Sequence, residues 1–175
     1  RTLTECLALD FAQLLRHVLP ELGDQAVHRL QAEAATGITR RMALAATVIL
    51  EGLGPQALAG LQIHPSDTVR GWACYLIGAR ESLSLSERLT LIEPLVDDAH
   101  FGVREWAWLA LRPAIAQELD QAITQLTRWT TSPSAYVRRF ACEAIRPRGV
   151  WCAHLPRLKE QPELALPILE ALNAD

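Results

Sequence analysis

Hydrophobic positions recur through the second half of the chain with a period of 34 residues. The period is marked by three Val-Arg pairs: Val69-Arg70, Val103-Arg104 and Val137-Arg138. In each copy an aromatic residue follows the valine by three positions, an alanine by four and an aliphatic residue by eight. At roughly 100° per residue, these positions share one helix face with the valine. The pattern therefore predicts helices that bury this face and stack as a solenoid.

The opposite face of these helices changes from copy to copy. The positions two, five, six and nine residues after each valine are, in chain order, Gly71, Cys74, Tyr75 and Gly78; Glu105, Trp108, Leu109 and Arg112; Arg139, Cys142, Glu143 and Arg146. Stacking of equivalent helices aligns such positions into one surface. We therefore expect carboxylates, guanidiniums and an indole on an open face of the second and third copies, and residues that the repeat does not require are the better functional candidates.

Capping and helix-breaking residues divide the chain into about eleven predicted helices with no strand. The predicted spans are Leu3–Leu19, Gln25–Ala35, Thr39 to near Gly52, Pro55–Leu61, Asp67–Ala79, Ser86–Val96 with Ser86 as N-cap, Val103–Leu111, Gln117–Thr130, Tyr136–Ile145, Leu155–Gln161 and Glu163–Leu172. We expect Pro113 and Pro147 each to kink or end its helix. The predicted fold is an all-α, HEAT-like α-solenoid of stacked antiparallel helix pairs, with each second helix on the concave side.

We expect residues 1–175 to form a single domain. With 50% hydrophobic residues, the chain can bury a core without disulfides or metals. Residues 1–60 are interpreted as degenerate N-terminal repeats, and residues 61–175 as regular repeats that carry the binding face. Because the chain stops where another Val-Arg turn would approach, we expect further residues or a partner at this end.

The distribution of charge along the chain is more informative about function than its net charge. A net charge of −3 argues against a uniformly basic nucleic-acid binder. From residue 134 to residue 160, however, six basic residues stand against two acidic ones, a local charge of +4. A site for a polyanion therefore belongs to the C-terminal half of the chain.

Other compositional features narrow the classes of function. The four cysteines form no CxxC pair, which favours reduced thiols in a cytoplasmic protein without a metal site. No apolar run approaches the ~20 residues of a membrane span, and no signal-like leader opens the chain, so we expect a soluble protein. Gly-rich phosphate loops and GxSxG elbows are absent from the sequence, which sets aside nucleotide hydrolysis and serine-hydrolase chemistry.

The third copy of the repeat extends into a longer motif. It reads Val137-Arg138-Arg139, then Ala141-Cys142-Glu143, then Arg146-Pro147-Arg148-Gly149-Val150-Trp151. This run resembles the signature of the HEAT-like DNA alkylation repair family, the 3-methyladenine DNA glycosylases of the AlkC and AlkD type. It is most similar to the AlkC branch, whose pattern is VRR, S/A-x-E and RPR-x-x-W. The similarity extends over residues 66–175 and is strongest in residues 134–151.

The resemblance implies a DNA repair protein that excises positively charged methylated bases, such as 3-methyladenine, from double-stranded DNA without a cofactor. The family has an arginine, a tryptophan and an acid on its concave face, and the matching motif positions are Arg139 and Trp151. The family's glutamate, four residues before an Arg-Pro pair, corresponds to Trp108 in this chain. Glu105 lies one turn earlier on the same face, so we expect it to substitute in space.

The chemistry of such excision needs one well-placed carboxylate. An alkylated cationic base leaves as a neutral species, so acid catalysis is dispensable, while the oxocarbenium-like sugar and a later water need stabilisation. An indole face would favour the cationic base over its neutral parent. We therefore assign the catalytic site to Glu105, Trp108 and Trp151.

Structural roles compete with these assignments. Glu105 is also placed to pair with a neighbouring arginine, and Glu143 has Arg139 and Arg146 at i−4 and i+3, which favours an ion-pair strut. Glu143 remains the alternative carboxylate. Trp106 occupies the same position of the repeat as Trp72 and Phe140, on the face predicted to be buried, and is assigned to the core.

Arginines divide into two groups by their position in the repeat. Arg70, Arg104 and Arg138 recur with the period, which indicates a structural ladder of polar contacts. Four others are predicted to bind DNA, the last three of them through its phosphates: Arg112, Arg139, Arg146 and Arg148. We expect a DNA-binding protein that is a glycosylase for cationic alkylated purines or a relative without that activity. The alternative is a non-enzymatic scaffold for protein interactions, a common use of such solenoids.

Overall fold

The chain folds into α-helices joined by short turns. The computed structural model describes residues 3–149 and 152–174, and these residues contain no strand. The helices are α1 (Leu3–Ala8), α2 (Phe11–Val18), α3 (Gly23–Ala32), α4 (Ile38–Leu53), α5 (Leu58–Gln62), α6 (Asp67–Ala79), α7 (Leu85–Val96), α8 (Phe101–Gln117), α9 (Leu119–Trp129), α10 (Ala135–Ala144), α11 (Pro156–Glu160) and α12 (Leu166–Ala171). Short 3-10 turns cover Pro20–Leu22, Pro55–Ala57 and Pro162–Ala165. The all-α prediction is confirmed.

The three Val-Arg copies form helices α6, α8 and α10. The repeated core positions are buried in each: Val69, Trp72, Ala73 and Ile77; Val103, Trp106, Ala107 and Leu111; Val137, Phe140, Ala141 and Ile145. Helix α6 packs between α4 and α8, and α8 also packs on α10, while α5, α7 and α9 pack against these helices to form a second layer. This arrangement of helices is solenoid-like and confirms the predicted core face.

Repeating arginines fix the loop before each of these helices. In every copy the Nη1 atom donates to the carbonyl oxygens six and five residues earlier: Arg70 to His64 and Pro65 at 2.8 and 3.1 Å, Arg104 to Asp98 and Ala99 at 2.6 and 3.0 Å, and Arg138 to Ser132 and Pro133 at 2.9 and 3.1 Å. Arg70 also binds the Asp98 carboxylate through two bonds, which joins the first copy to the second. The predicted structural ladder is therefore present.

Two predicted helices differ from the structure because polar side chains cap at other positions. The expected Leu3–Leu19 helix is split, since the Asp10 carboxylate accepts from the Gln13 backbone N–H at 3.0 Å and starts α2 there. Helix α7 is capped by Ser84 and not by Ser86. The Ser84 hydroxyl accepts from the Glu87 N–H, while the Glu87 carboxylate accepts from the Ser84 N–H, which forms a capping box.

The two prolines predicted to kink or end repeat helices, Pro113 and Pro147, occupy different positions in the structure. Helix α10 ends at Ala144, before Pro147, as predicted. Helix α8 instead continues through Pro113 to Gln117, so the predicted end there is wrong. A proline removes one intrahelical hydrogen bond, and the packing of α8 against α6, α7 and α10 holds the helix in spite of that missing bond.

Helix length bears on membrane insertion. Among the described residues, no single helix is both long and apolar enough to cross a membrane. One pair of segments in the described part of the chain, α4 and Pro55–Gln62, reaches that length and composition together, and the two meet at a bend of 114°.

Candidate functional site

A charged cluster joins the second and third copies of the repeat. Glu105 and Arg139 occupy equivalent positions, two residues after Val103 and Val137. The Arg139 Nη2 atom donates to Glu105 Oε1 at 2.7 Å, so the stacked helices bring the two side chains together. The other carboxylate oxygen, Oε2, accepts from the Trp108 indole N–H at 3.0 Å. Two donors from different helices therefore fix the orientation of the Glu105 carboxylate.

Glu143 continues the cluster along α10. Its Oε2 atom accepts from Arg146 Nη1 at 2.7 Å, and its Oε1 atom lies 3.5 Å from Arg139 Nη2. Both ion pairs expected for a structural strut are present. The hydrogen bond with Glu143 is also the main reason that the pKa of Arg146 is raised. We call these residues the Glu105 cluster: Glu105, Trp108, Arg139, Glu143 and Arg146.

The Glu105 cluster is open to solvent on its charged side. The side chains of Glu105 and Arg139 are 33% and 48% exposed. Ion pairs this exposed contribute little to stability. The first copy has Gly71 at the equivalent position, so the repeat itself does not require this ion pair.

Trp108 is buried and not on an open face. Only 5% of it is exposed, because the loop after α10 passes over its ring. A Cβ placed on Gly149 would lie 3.5 Å from that ring. A stacking platform for a base needs a free ring face, so the predicted platform role of Trp108 is wrong in this structure. Its indole N–H, which orients Glu105, is the part that reaches the site.

The space enclosed at the Glu105 cluster is small. A cavity of about 10 Å³ lies between α8 and α10, beside Glu105, Trp108 and Tyr136. Such a volume holds at most one water molecule. A nucleobase cannot enter it, so any substrate must approach Glu105 from the exposed side.

Arg112 is likewise buried, with 2% exposed. Its guanidinium donates to three backbone carbonyls: Ala153 at 3.1 Å, Ala144 at 3.1 Å and Arg146 at 2.5 Å. Burial is the main reason that its pKa is lowered. The predicted direct contact of Arg112 with DNA is therefore wrong, because the side chain faces the loop after α10 and not solvent.

The remaining predicted residues fall into three groups. Arg139 and Arg146 are exposed members of the cluster, and Arg148 is exposed in the loop that follows α10. Trp106 is in the core, as predicted. Trp151 lies outside the residues that the structure describes.

An exposed aromatic residue beside the cluster, Tyr136, was not predicted. Its ring stacks on the Arg104 guanidinium at 3.8 Å and is 44% exposed. The equivalent positions in the other copies are Thr68 and Gly102, so the repeat does not require an aromatic residue there. That departure from the repeat is the signal that could have identified Tyr136.

Potential metal ligands are scattered through the described part of the chain. No three side chains of His, Cys, Asp and Glu gather there in a metal-binding arrangement.

The fold and site define an α-helical repeat protein with a mixed-charge cluster on one face. A segment of 66 residues is 41% identical to the Bacillus subtilis (strain 168) protein named "Uncharacterized protein YhaZ". This segment is 38% of the present chain and 18% of that relative, so the match spans a minor part of both proteins. No family model matches the chain, and no solved structure matches it.

Proposed function

We propose that this chain binds duplex DNA through the face that carries the Glu105 cluster and excises cationic alkylated purines of the 3-methyladenine type in the cytoplasm. The observation that carries the proposal is the Glu105 carboxylate. It is one-third exposed and held by the Trp108 N–H and the Arg139 guanidinium, at a position that the repeat does not require. The resemblance of residues 134–151 to the alkylation repair signature points to the same chemistry.

Glu105 suits glycosidic cleavage of a base that is already charged. Such a base departs as a neutral molecule, so the reaction needs a fixed negative charge near the sugar more than it needs a proton donor. A carboxylate held by two donors supplies that charge without reorganising. Because the adjoining cavity is only about 10 Å³, Glu105 would act on a sugar at the DNA surface and not on a base taken into a pocket.

The exposed cations around Glu105 suit a nucleic-acid backbone. Arg139 is on α10, Arg146 and Arg148 are in the loop that follows it, and all three are exposed. Guanidiniums form forked hydrogen bonds with phosphate oxygens. Tyr136, stacked on Arg104, adds an exposed ring next to these cations.

The direct test is release of free base from a methylated DNA duplex. The wild-type chain should release the base, and Glu105→Gln, which keeps the shape and removes the charge, should slow release on the order of 100-fold or more while keeping DNA affinity. Glu93→Gln is the matched control, since Glu93 is an exposed glutamate on α7. It should behave as wild type.

Two results would contradict this proposal in different ways. Absence of base release by the wild-type chain would leave a DNA-binding protein without glycosylase activity. Equal release by wild type and Glu105→Gln would remove Glu105 from the chemistry and favour Glu143.

A further inference from the structure

Arg112 holds a loop against α8 through hydrogen bonds. We call this loop the return loop; its described residues are 145–149 and 152–155. The Arg112 guanidinium donates hydrogen bonds to three backbone carbonyls, those of Ala144, Arg146 and Ala153. Ala153 is 41 residues away in the sequence. Ala144 is the final residue of α10, so the cation also satisfies the carbonyl end of that helix and complements its dipole.

The return loop is closed and packed independently of Arg112. The Leu155 N–H donates to the Pro147 carbonyl at 3.0 Å, which brings the two ends of the loop together. Between them Gly149 lies against Trp108, and a Cβ on Gly149 would come within 2.5 Å of Cys152 Sγ. The described residues of the loop therefore pack against α8.

Arg146 connects the return loop to the Glu105 cluster. Its backbone carbonyl accepts from Arg112, and its guanidinium donates to Glu143. Glu143 in turn lies beside Arg139, which binds Glu105. A displacement of the Arg146 backbone would consequently disturb the cluster and move the neighbouring Arg148.

We propose that Arg112 is a positioning residue for DNA binding, acting through the return loop to hold Arg146 and Arg148 on the face that carries Glu105. The inference rests on the proposed function. Arg112 thus has an indirect role in DNA binding in place of the direct contact that the sequence predicted. Arginine is suited to this role because its planar fork reaches several carbonyls at once, whereas the single ammonium of a lysine cannot reproduce that geometry.

Proteolysis tests the loop without DNA. Trypsin cleaves after Arg148 but not before Pro147, so the rate of cleavage at the Arg148–Gly149 bond reports on release of the return loop. Arg112→Met should raise this rate at least about tenfold, since three carbonyls at the end of α10 and in the loop would then lose their donor. Cleavage in α3 after Arg29 should stay at the wild-type rate.

A matched control separates the loop from general destabilisation. Arg138 also donates to two backbone carbonyls, but those belong to the loop before α10. Arg138→Met should leave cleavage after Arg148 unchanged. Equal rates for wild type and Arg112→Met at that bond would overturn the proposal.

DNA affinity as a function of salt tests the consequence for binding. The slope of log affinity against log salt is about 0.9 for each phosphate that the protein neutralises. Arg112→Met should lower the slope by up to about 1.8, the value for two phosphates. Adding Arg148→Ala to Arg112→Met should lower it no further, because the two residues act through one loop. A wild-type slope in Arg112→Met would overturn the positioning role.

A second variant displaces the loop from the other side and leaves Arg112 intact. Gly149→Val would press on Cys152 and Trp108 and would leave the Arg112 side chain in place, so it remains informative if Arg112→Met does not fold. The same reduced slope is expected, and an unchanged slope would contradict the proposal. If the wild-type chain binds no DNA, the proposed function and this role fail together, while the proteolysis still reports whether Arg112 holds the loop.

Discussion

At the scale of single residues, one hydrogen bond links the buried part of the site to its exposed carboxylate. The Trp108 indole N–H donates to Glu105 Oε2 at 3.0 Å. A hydrogen bond to a charged group stabilises a protein by about 1.5 to 3 kcal/mol. In the proposed mechanism this bond orients Glu105 before the substrate arrives, because positioned charges stabilise a transition state without reorganising.

Replacing this tryptophan by phenylalanine isolates the bond. Trp108→Phe keeps an aromatic ring under Gly149 and removes the N–H, so we expect base release to fall about tenfold, the equivalent of about 1.4 kcal/mol. Trp106→Phe is the control, because Trp106 is equally buried on the same helix. Both variants should be destabilised to a similar degree in thermal unfolding; an equal fall in base release would contradict the orienting role of Trp108.

Local spacing predicted some site residues and could not predict others. The pairing of Glu143 with Arg139 and Arg146 follows from positions one turn apart on a helix. The 34-residue period places Glu105 and Arg139 at equivalent positions of stacked helices, where they pair. The burial of Trp108 and Arg112 was not predictable from either rule, because it depends on a non-repeating loop that folds back over α8.

At the scale of elements, α6 and α8 approach each other closely at a glycine. A Cβ added at Gly78 would lie 2.5 Å from the backbone carbonyl oxygen of Ala110. Backbone cannot move aside as a flexible side chain does, so this close approach fixes the separation of the first two repeat helices. The third copy meets no such limit at the equivalent residue, Arg146, which is exposed.

Gly78→Ala should therefore destabilise the fold. We expect the free energy of unfolding, measured with denaturant, to fall by about 1 to 3 kcal/mol, because the extra methyl overpacks a helix interface. Gly60→Ala is the control in α5, since a Cβ there has no neighbour within 4 Å and alanine favours the helix by up to about 1 kcal/mol. Equal stability of the two variants would contradict the close approach of α6 and α8.

The helices were predicted more reliably than their ends. Period and amphipathicity placed α6, α8 and α10 because each buries the same face. The position of a helix end depends on single polar hydrogen bonds. Ser84 and Ser86 have similar capping preferences, and Ser84 is the one that forms the capping box with Glu87. The continuation of α8 through Pro113 reflects packing by neighbouring helices, which no local rule contains.

At the scale of the whole molecule, charge is distributed unevenly over an acidic protein. The net charge is −3, yet residues 134–160 carry +4. Arg139 and Arg146, which belong to the Glu105 cluster, and Arg148 in the following loop are exposed residues of this segment. In the proposed function these exposed arginines attract the DNA backbone, with a range of about 10 Å at moderate salt.

Affinity for duplex DNA across a range of salt concentrations tests this account most directly. We predict that wild-type affinity falls linearly with salt on a double-logarithmic plot, and that Arg148→Ala lowers the slope by about 0.9. Arg128→Ala, at an exposed arginine on α9, should keep the wild-type slope. A wild-type chain without salt-sensitive DNA affinity, or an Arg148→Ala variant with unchanged affinity and slope, would contradict DNA binding at this face and favour a scaffold for protein interactions.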